Sequence, residues 1–351
     1  MKHSMNLCWL VSLVLATGFV SVSSTTVRAA VRLAFLSSRQ GPAQIYVLDE
    51  KGETKKVQLI SDKSVFQSPQ LSPDGRWIAF HSKHDSKPGL FIVRSSGGEP
   101  RHLTKEVARF LGWQYAWSPD SNRIAFLAHP GKKGADIHVV DIATAKIQRL
   151  TTGGARSPAW SPDGKSIAYM AWTGQPHTGL CVMKADGTDQ RQLYRQTSAR
   201  DTFPSWSSDS QQIAFQSYRR EGGGIIGEVY VIDVNGGKPK MLLDKTFSVW
   251  NPAWSPDGTR IAVRTGFGGW GIDVVDVKTG KRTRCVSLNA GSTFFWYDAQ
   301  RLVFEAKQDE HREIFLVKIG DEPVNLTNNS ADDRLPRAVG PNRFGAQPNG
   351  E

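Results

Sequence analysis

The sequence predicts an all-β fold, a β-propeller of seven four-stranded blades, and three observations carry the prediction. A Ser-Pro-Asp-Gly turn is intact at 72–75, 161–164 and 255–258 and worn at 118–121, 207–210 and 296–299, which sets its aspartates 41 to 48 residues apart. Most copies precede an apolar triplet such as Ile78-Ala79-Phe80, Ile167-Ala168-Tyr169 or Ile261-Ala262-Val263. Partial units at the two ends of the array complement each other. A fixed period of this length marks a ring or stack of like units, none of which buries its apolar faces alone.

Each unit divides into four short strands. The first ends at a tryptophan (Trp117, Trp160, Trp206, Trp254) and runs into the turn. There proline pre-sets φ, aspartate bonds nearby backbone and glycine accepts positive φ. The second strand carries the apolar triplet, as expected when both of its faces are covered. The third is again apolar: Leu90–Val93, Ile137–Val140 and Val229–Ile232. The fourth, typified by Arg101–Thr104 and Gln148–Thr151, is polar enough for an outer edge where charge discourages pairing with other chains.

Complete units occupy 65–106, 107–153, 154–196, 197–246, 247–289 and 290–327. Before them, Leu33–Phe35, Ile45–Leu48 and Val57–Ile60 supply second, third and fourth strands; after them, Asp333–Ala338 mirrors the first strand at Asp201–Trp206. The two fragments predict one blade shared by both termini, which closes the ring at seven and removes free edges. Six blades is the alternative, should the degenerate unit at 290–327 pack differently.

On these motifs, over 31–345, the chain resembles the WD40-like β-propeller repeats of TolB-type periplasmic proteins. The resemblance implies the propeller and departs from TolB in two respects. TolB carries an α/β domain between its signal peptide and a six-bladed propeller, whereas here the propeller is expected to follow the leader directly. TolB's partners, notably a peptidoglycan-associated lipoprotein, therefore do not come across with the repeat, because one fold hosts many functions.

Residues Leu7 to Val22 form an apolar stretch after Lys2, and Val27-Arg28-Ala29 suits a small-residue cleavage site. The expected division is a signal peptide at 1–29, a propeller at 30–345 and a short tail at 346–351, in a periplasmic or secreted monomer with no stable membrane span. Cys181, in a third strand, and Cys285, in a fourth strand two blades away, are expected to stay free thiols. A net charge of +11 and a pI near 9.6 favour anionic partners. No helix-turn-helix, zinc-finger or RNA-recognition pattern accompanies that charge, so no nucleic-acid partner is expected.

Strand order separates two faces. The Ser-Pro-Asp-Gly turns and the third-to-fourth turns share one, here the turn face. The second-to-third links and the blade-to-blade links share the other, the loop face, where binding groups concentrate. Cations outnumber acids in the second-to-third links, including Lys132 and Lys133, and Trp172 stands in the next. Two further links form the main candidate ligand-binding site. Tyr218–Gly227, containing Arg219 and Arg220, is expected to be a long mobile insertion, and Gly266–Gly271 holds Phe267 and Trp270 on a glycine frame. Aromatic residues with arginine are a common binding composition.

His81, His129 and His177 lie on consecutive blades and are candidate metal ligands. They stand one, three and eight residues past their aligned aromatic positions, so equivalent placement is not expected. No Gly-x-Ser-x-Gly elbow, His-Glu-x-x-His pair or calcium loop occurs. The reading is a non-enzymatic binding module of the cell envelope without a cofactor, recognising an envelope protein or an anionic polysaccharide. The alternative is a lyase or hydrolase acting on an acidic saccharide or lactone, since some seven-bladed lyases have related repeats and a histidine-bound metal.

Overall fold

Seven four-stranded antiparallel sheets make up the computed structural model, which describes residues 33–49, 54–57, 66–84, 87–107, 110–129, 134–172, 178–195, 199–221, 224–247, 249–266, 270–287 and 290–338. Among the described residues there is no helix. Blade 1 takes its first strand from the end of the chain, Asp333–Ala338, and its others from Leu33–Ser37, Gln44–Leu48 and Thr54–Lys56. Blades 2 to 7 span 66–102, 110–149, 155–194, 200–247, 249–286 and 290–325, so the degenerate last unit is a regular blade.

The fourth strand of blade 1 is an exception to the sequence reading, which placed it at Val57–Ile60. It is Thr54–Lys56 instead, and Val57 ends it, donating its N–H to the Ile45 carbonyl at 2.9 Å with its side chain buried. The apolar character of Val57 marks the core beneath the strand end rather than the strand's centre. Residues 58–60 lie outside the described residues.

The turn repeats because its bonds are local. The serine hydroxyl donates to the aspartate two residues on (Ser72 to Asp74 and Ser161 to Asp163, both 2.6 Å; Ser255 to Asp257, 2.5 Å). The same hydroxyl accepts the N–H five residues on, from Trp77, Ser166 and Arg260, at 2.9 to 3.0 Å. The worn copies at Ser118 and Ser207 keep both contacts, and Ser121 and Ser210 occupy the positive-φ place of glycine at 63° and 62°. Each of these two serines then accepts the aspartate N–H of the preceding intact turn, Asp74 at 3.0 Å and Asp163 at 3.1 Å. Burial would raise the Asp74 and Asp257 carboxyls, yet hydrogen bonds from Ser72 and Ser255 and the neighbouring arginines hold both below the usual range. These aspartates build turns.

Between blades, seven apolar clusters fill the seven interfaces. Leu33, Phe35 and Tyr46 meet Phe295, Val303 and Ile314 where the ring closes. The indole N–H of Trp117, Trp160, Trp206 and Trp296 reaches a first-strand carbonyl of the preceding blade, at 2.9 to 3.3 Å. A tryptophan thus supplies buried area and a bonded tip together.

The first strands share a device that the sequence reading passed over. Ser68, Ser157, Phe203 and Asn251 have φ of 50°, 51°, 52° and 56°, each just before a proline, and there the register with the second strand slips. Proline is tolerated because the first strand is a sheet edge. The bulge re-aims the loop-face end of the strand. Cys181 and Cys285 are free, and burial pushes each thiol up to about 11, which keeps it protonated and poorly nucleophilic at neutral pH.

Candidate binding face

Three consecutive blades, 4 to 6, bring arginines and aromatics together on the loop face. In blade 4 the Arg156 guanidinium lies 4.5 Å from the Trp172 ring centroid. Trp172 is held by Gly154: its N–H donates to the Gly154 carbonyl at 3.1 Å, and a Cβ on Gly154 would stand 2.4 Å from Trp172 Cδ1. Gly154 also has φ of +101°, so glycine alone suits this position.

In blade 5, Arg200 pairs across the strands with Tyr218, whose ring centroid lies 5.8 Å from that of Trp250 in blade 6. Trp250 is the cross-strand partner of Arg264, and the Arg264 guanidinium sits 3.7 Å over Trp270. The result is an arc of interleaved aromatic and guanidinium groups: Trp172, Arg156, Arg200, Tyr218, Trp250, Arg264 and Trp270.

Burial lowers the Arg156 pKa, with Tyr218 opposing and the like charge of Arg200 adding to the effect. Burial brings Arg264 down to about 10, opposed by Glu305 and reinforced by Arg312. Both stay protonated at neutral pH. Neither has a carboxylate within ion-pairing distance among the described residues. Stacking a cation on a half-buried ring is worth about 0.5 to 2 kcal/mol. It also fixes the guanidinium before any ligand arrives, which lowers the ordering cost of binding.

Beside the arc, a cavity of about 340 Å³ opens between blades 3 and 4, with Gln114, Leu127, His129, Ala155, Arg156 and Trp172 in its wall. Gln114 is oriented there by the bulge, since its Oε1 accepts the Ser157 N–H at 3.0 Å.

Of the residues singled out from sequence, Trp172, Tyr218 and Trp270 fall in the arc. Arg219 does not. Strand alternation turns it to the opposite face, where it pairs with Glu228 at 3.0 Å, and Tyr230 donates to the other oxygen of that carboxylate. The described parts of the expected mobile insertion at Tyr218–Gly227 are strand: Gln212–Glu221 and Gly224–Asp233 stay paired out to Glu221 and Gly224, and Phe247 pairs with Ile226 on the outer side, while residues 222–223 lie outside the described residues. Tyr218, Arg219 and Ile225-Ile226 continue the ladder.

Lys132, Lys133, His177 and Phe267, and the side chain of Arg220, lie outside the described residues. His129 lines the cavity, while His81 is half-buried in blade 2, where burial lowers its pKa. Among the described residues no three His, Cys, Asp or Glu side chains gather as metal ligands would. The reading missed Arg156, Arg200, Trp250 and Arg264. Arg156 and Trp250 stand four residues before a strand-ending tryptophan, a position whose variation between blades was the available signal.

Blades carrying these turns, tryptophans and triplets define the class: the chain is a β-propeller whose repeats resemble the TolB-type WD40-like repeat. Residues 111–237 match the TolB beta propeller domain family. The Protein TolB homolog of Chlorobaculum tepidum is 31% identical over 141 residues, 40% of this chain and 30% of that protein. The uncharacterized protein Atu1656 of Agrobacterium fabrum is 29% identical over 203 residues, 55% of this chain and 67% of that protein. The matches thus span about a third of the former relative and two thirds of the latter. Among solved structures, an oligogalacturonate lyase in complex with manganese aligns with a TM-score of 0.65 at 14% identity, covering 83% of this chain and 86% of that one. At that identity the likeness is one of fold.

Proposed function

We propose that this chain is an exported, non-enzymatic binding module of the cell envelope. It takes an anionic partner, an acidic protein surface or an acidic polysaccharide, on the loop face of blades 4 to 6. One observation carries the reading: half-buried Arg156 and Arg264 each lie on a tryptophan ring without a carboxylate partner among the described residues. Elsewhere on this rim arginines are neutralised internally, Arg149 by Asp136, Arg282 and Arg284 by Asp273, and Arg312 by Glu305. A guanidinium held in place without a direct ion pair attracts an anion from solution and fixes its orientation. The net charge, +11 for the whole chain and +9 without Lys2 and Arg28 of the expected signal peptide, adds a long-range pull that salt screens. The kinship with TolB homologs supports an envelope setting.

Affinity capture from envelope extract tests it, comparing the wild type with the double variant Arg156→Gln/Arg264→Gln. The wild type is expected to retain one partner that rising salt releases, and the variant to retain at least about tenfold less. Equal capture by both forms would remove the arc from the binding surface.

A further inference from the structure

We infer that the cavity between blades 3 and 4 is a carboxylate subsite, which takes one carboxylate carried on a flat or aliphatic apolar body. The inference deepens the proposed function and rests on the loop face being the binding face.

Three features of the wall point to that ligand. The first is charge. Arg156 is the cation in the wall, half-buried, stacked on Trp172 and without an acidic partner among the described residues. One guanidinium in a partly desolvated wall is enough to balance a monoanion. Second, the Ser157 N–H donates to Gln114 Oε1 at 3.0 Å, which fixes the amide and leaves its Nε2 as a donor. A guanidinium fork and an amide N–H are both donors, and a carboxylate, which only accepts, is complementary to the pair.

The third feature is shape. Leu127, Ala155 and the Trp172 ring are apolar, and the volume of about 340 Å³ holds a ring or branched side chain besides the carboxylate. Gly154 pins Trp172 and Trp172 carries Arg156, so the wall stands ready before the ligand enters.

A carboxylate on such a body has two sources, a free small acid or the C-terminus of a peptide ending in an apolar residue, and the probes separate them. Ligand-observed NMR on the full chain would compare 3-phenylpropanoate with 3-phenylpropanamide, and a pentapeptide ending in phenylalanine with its C-terminal amide. The acid, the free-carboxyl peptide or both are expected to bind, each about tenfold or more tighter than its amide. Preference for the peptide assigns the site to a chain terminus, and preference for the free acid assigns it to a small molecule.

Arg156→Gln should remove binding. Arg94→Gln should leave it unchanged, since Arg94 stacks on Trp77 at 3.9 Å at the turn-face end of its strand. Should Arg156→Gln fail to fold, the acid-against-amide comparison on the wild type decides alone. Equal binding of acids and amides, no binding of any probe, or unchanged binding by folded Arg156→Gln would overturn the subsite. Partner capture that depends on the arc, together with no binding of any probe, would overturn the subsite alone. Carboxylate binding with capture indifferent to the arc would overturn the broader reading alone.

Discussion

Asp201 and Asp333 occupy the same place in two blades, each three residues before a first-strand proline, yet their surroundings differ. Asp333 receives Arg39 at 2.8 Å and the Asn329 amide at 2.7 Å. Arg219 is the blade 5 counterpart of Arg39, but it turns to Glu228, whose counterpart in blade 1 is the neutral Gln44. Asp201 is fully buried, and it and Glu228 each act electrostatically on Tyr194. Burial pushes it up to about 7, and the Ser217 hydroxyl pulls the other way.

The folded-state pKa of Asp201 thus lies above the unfolded value of about 3.9. Between the two, the native state holds a proton that the unfolded state has released, so stability falls as pH rises. The contribution is fully present below about pH 4 and is lost as pH passes about 7. Asp201→Asn should flatten this slope and exceed the wild type at pH 8 by up to about 4 kcal/mol. Glu228→Gln should flatten it too, by releasing Arg219. Urea midpoints at pH 5 and pH 8 read both effects, and a slope that persists in Asp201→Asn would assign it to another group.

At the scale of the element, the fourth strand does more than the sequence suggested. It reads as a polar edge, but the threonine two residues past its end is a latch. Thr104, Thr151 and Thr327 accept the N–H of Leu90, Ile137 and Ile314 in the third strand at 2.9 to 3.1 Å, and Thr104 and Thr151 are buried. Thr151→Val keeps the shape but leaves the Ile137 N–H to find another acceptor, so a loss of about 1 to 3 kcal/mol is expected in urea unfolding. A value near zero would mean that this N–H already has a second acceptor. The turns were legible because Ser72, Asp74 and Gly75 act on backbone within five residues of themselves. The latch was not, because Thr151 lies 14 residues from the N–H it holds.

For the whole molecule, closure of the ring is the decisive event. Leu33–Ser37 pairs with Gln44–Leu48 on one side and with Asp333–Ala338 on the other, and Arg39 bonds Asp333 across the same seam. A chain ending at Asp332 would leave Leu33–Ser37 an unpaired edge beside the Phe295 cluster. Calorimetry should show Tm lower by about 10 °C or more. An unchanged Tm would mean that the ring closes without the last strand.

By itself the sequence determined the repeat, the blade count and the shared blade, because Ser-Pro-Asp-Gly turns, strand-ending tryptophans and apolar triplets act locally and recur. It also marked Trp172, Tyr218 and Trp270 as aromatics outside the repeat pattern. Only the tertiary structure decided the rest. It sent Arg219 inward to Glu228 by strand alternation, and it aligned Arg156, Arg200, Trp250 and Arg264 from three different blades. Side chains dozens of residues apart become neighbours only when the ring forms, and that distance carries no pattern along the chain.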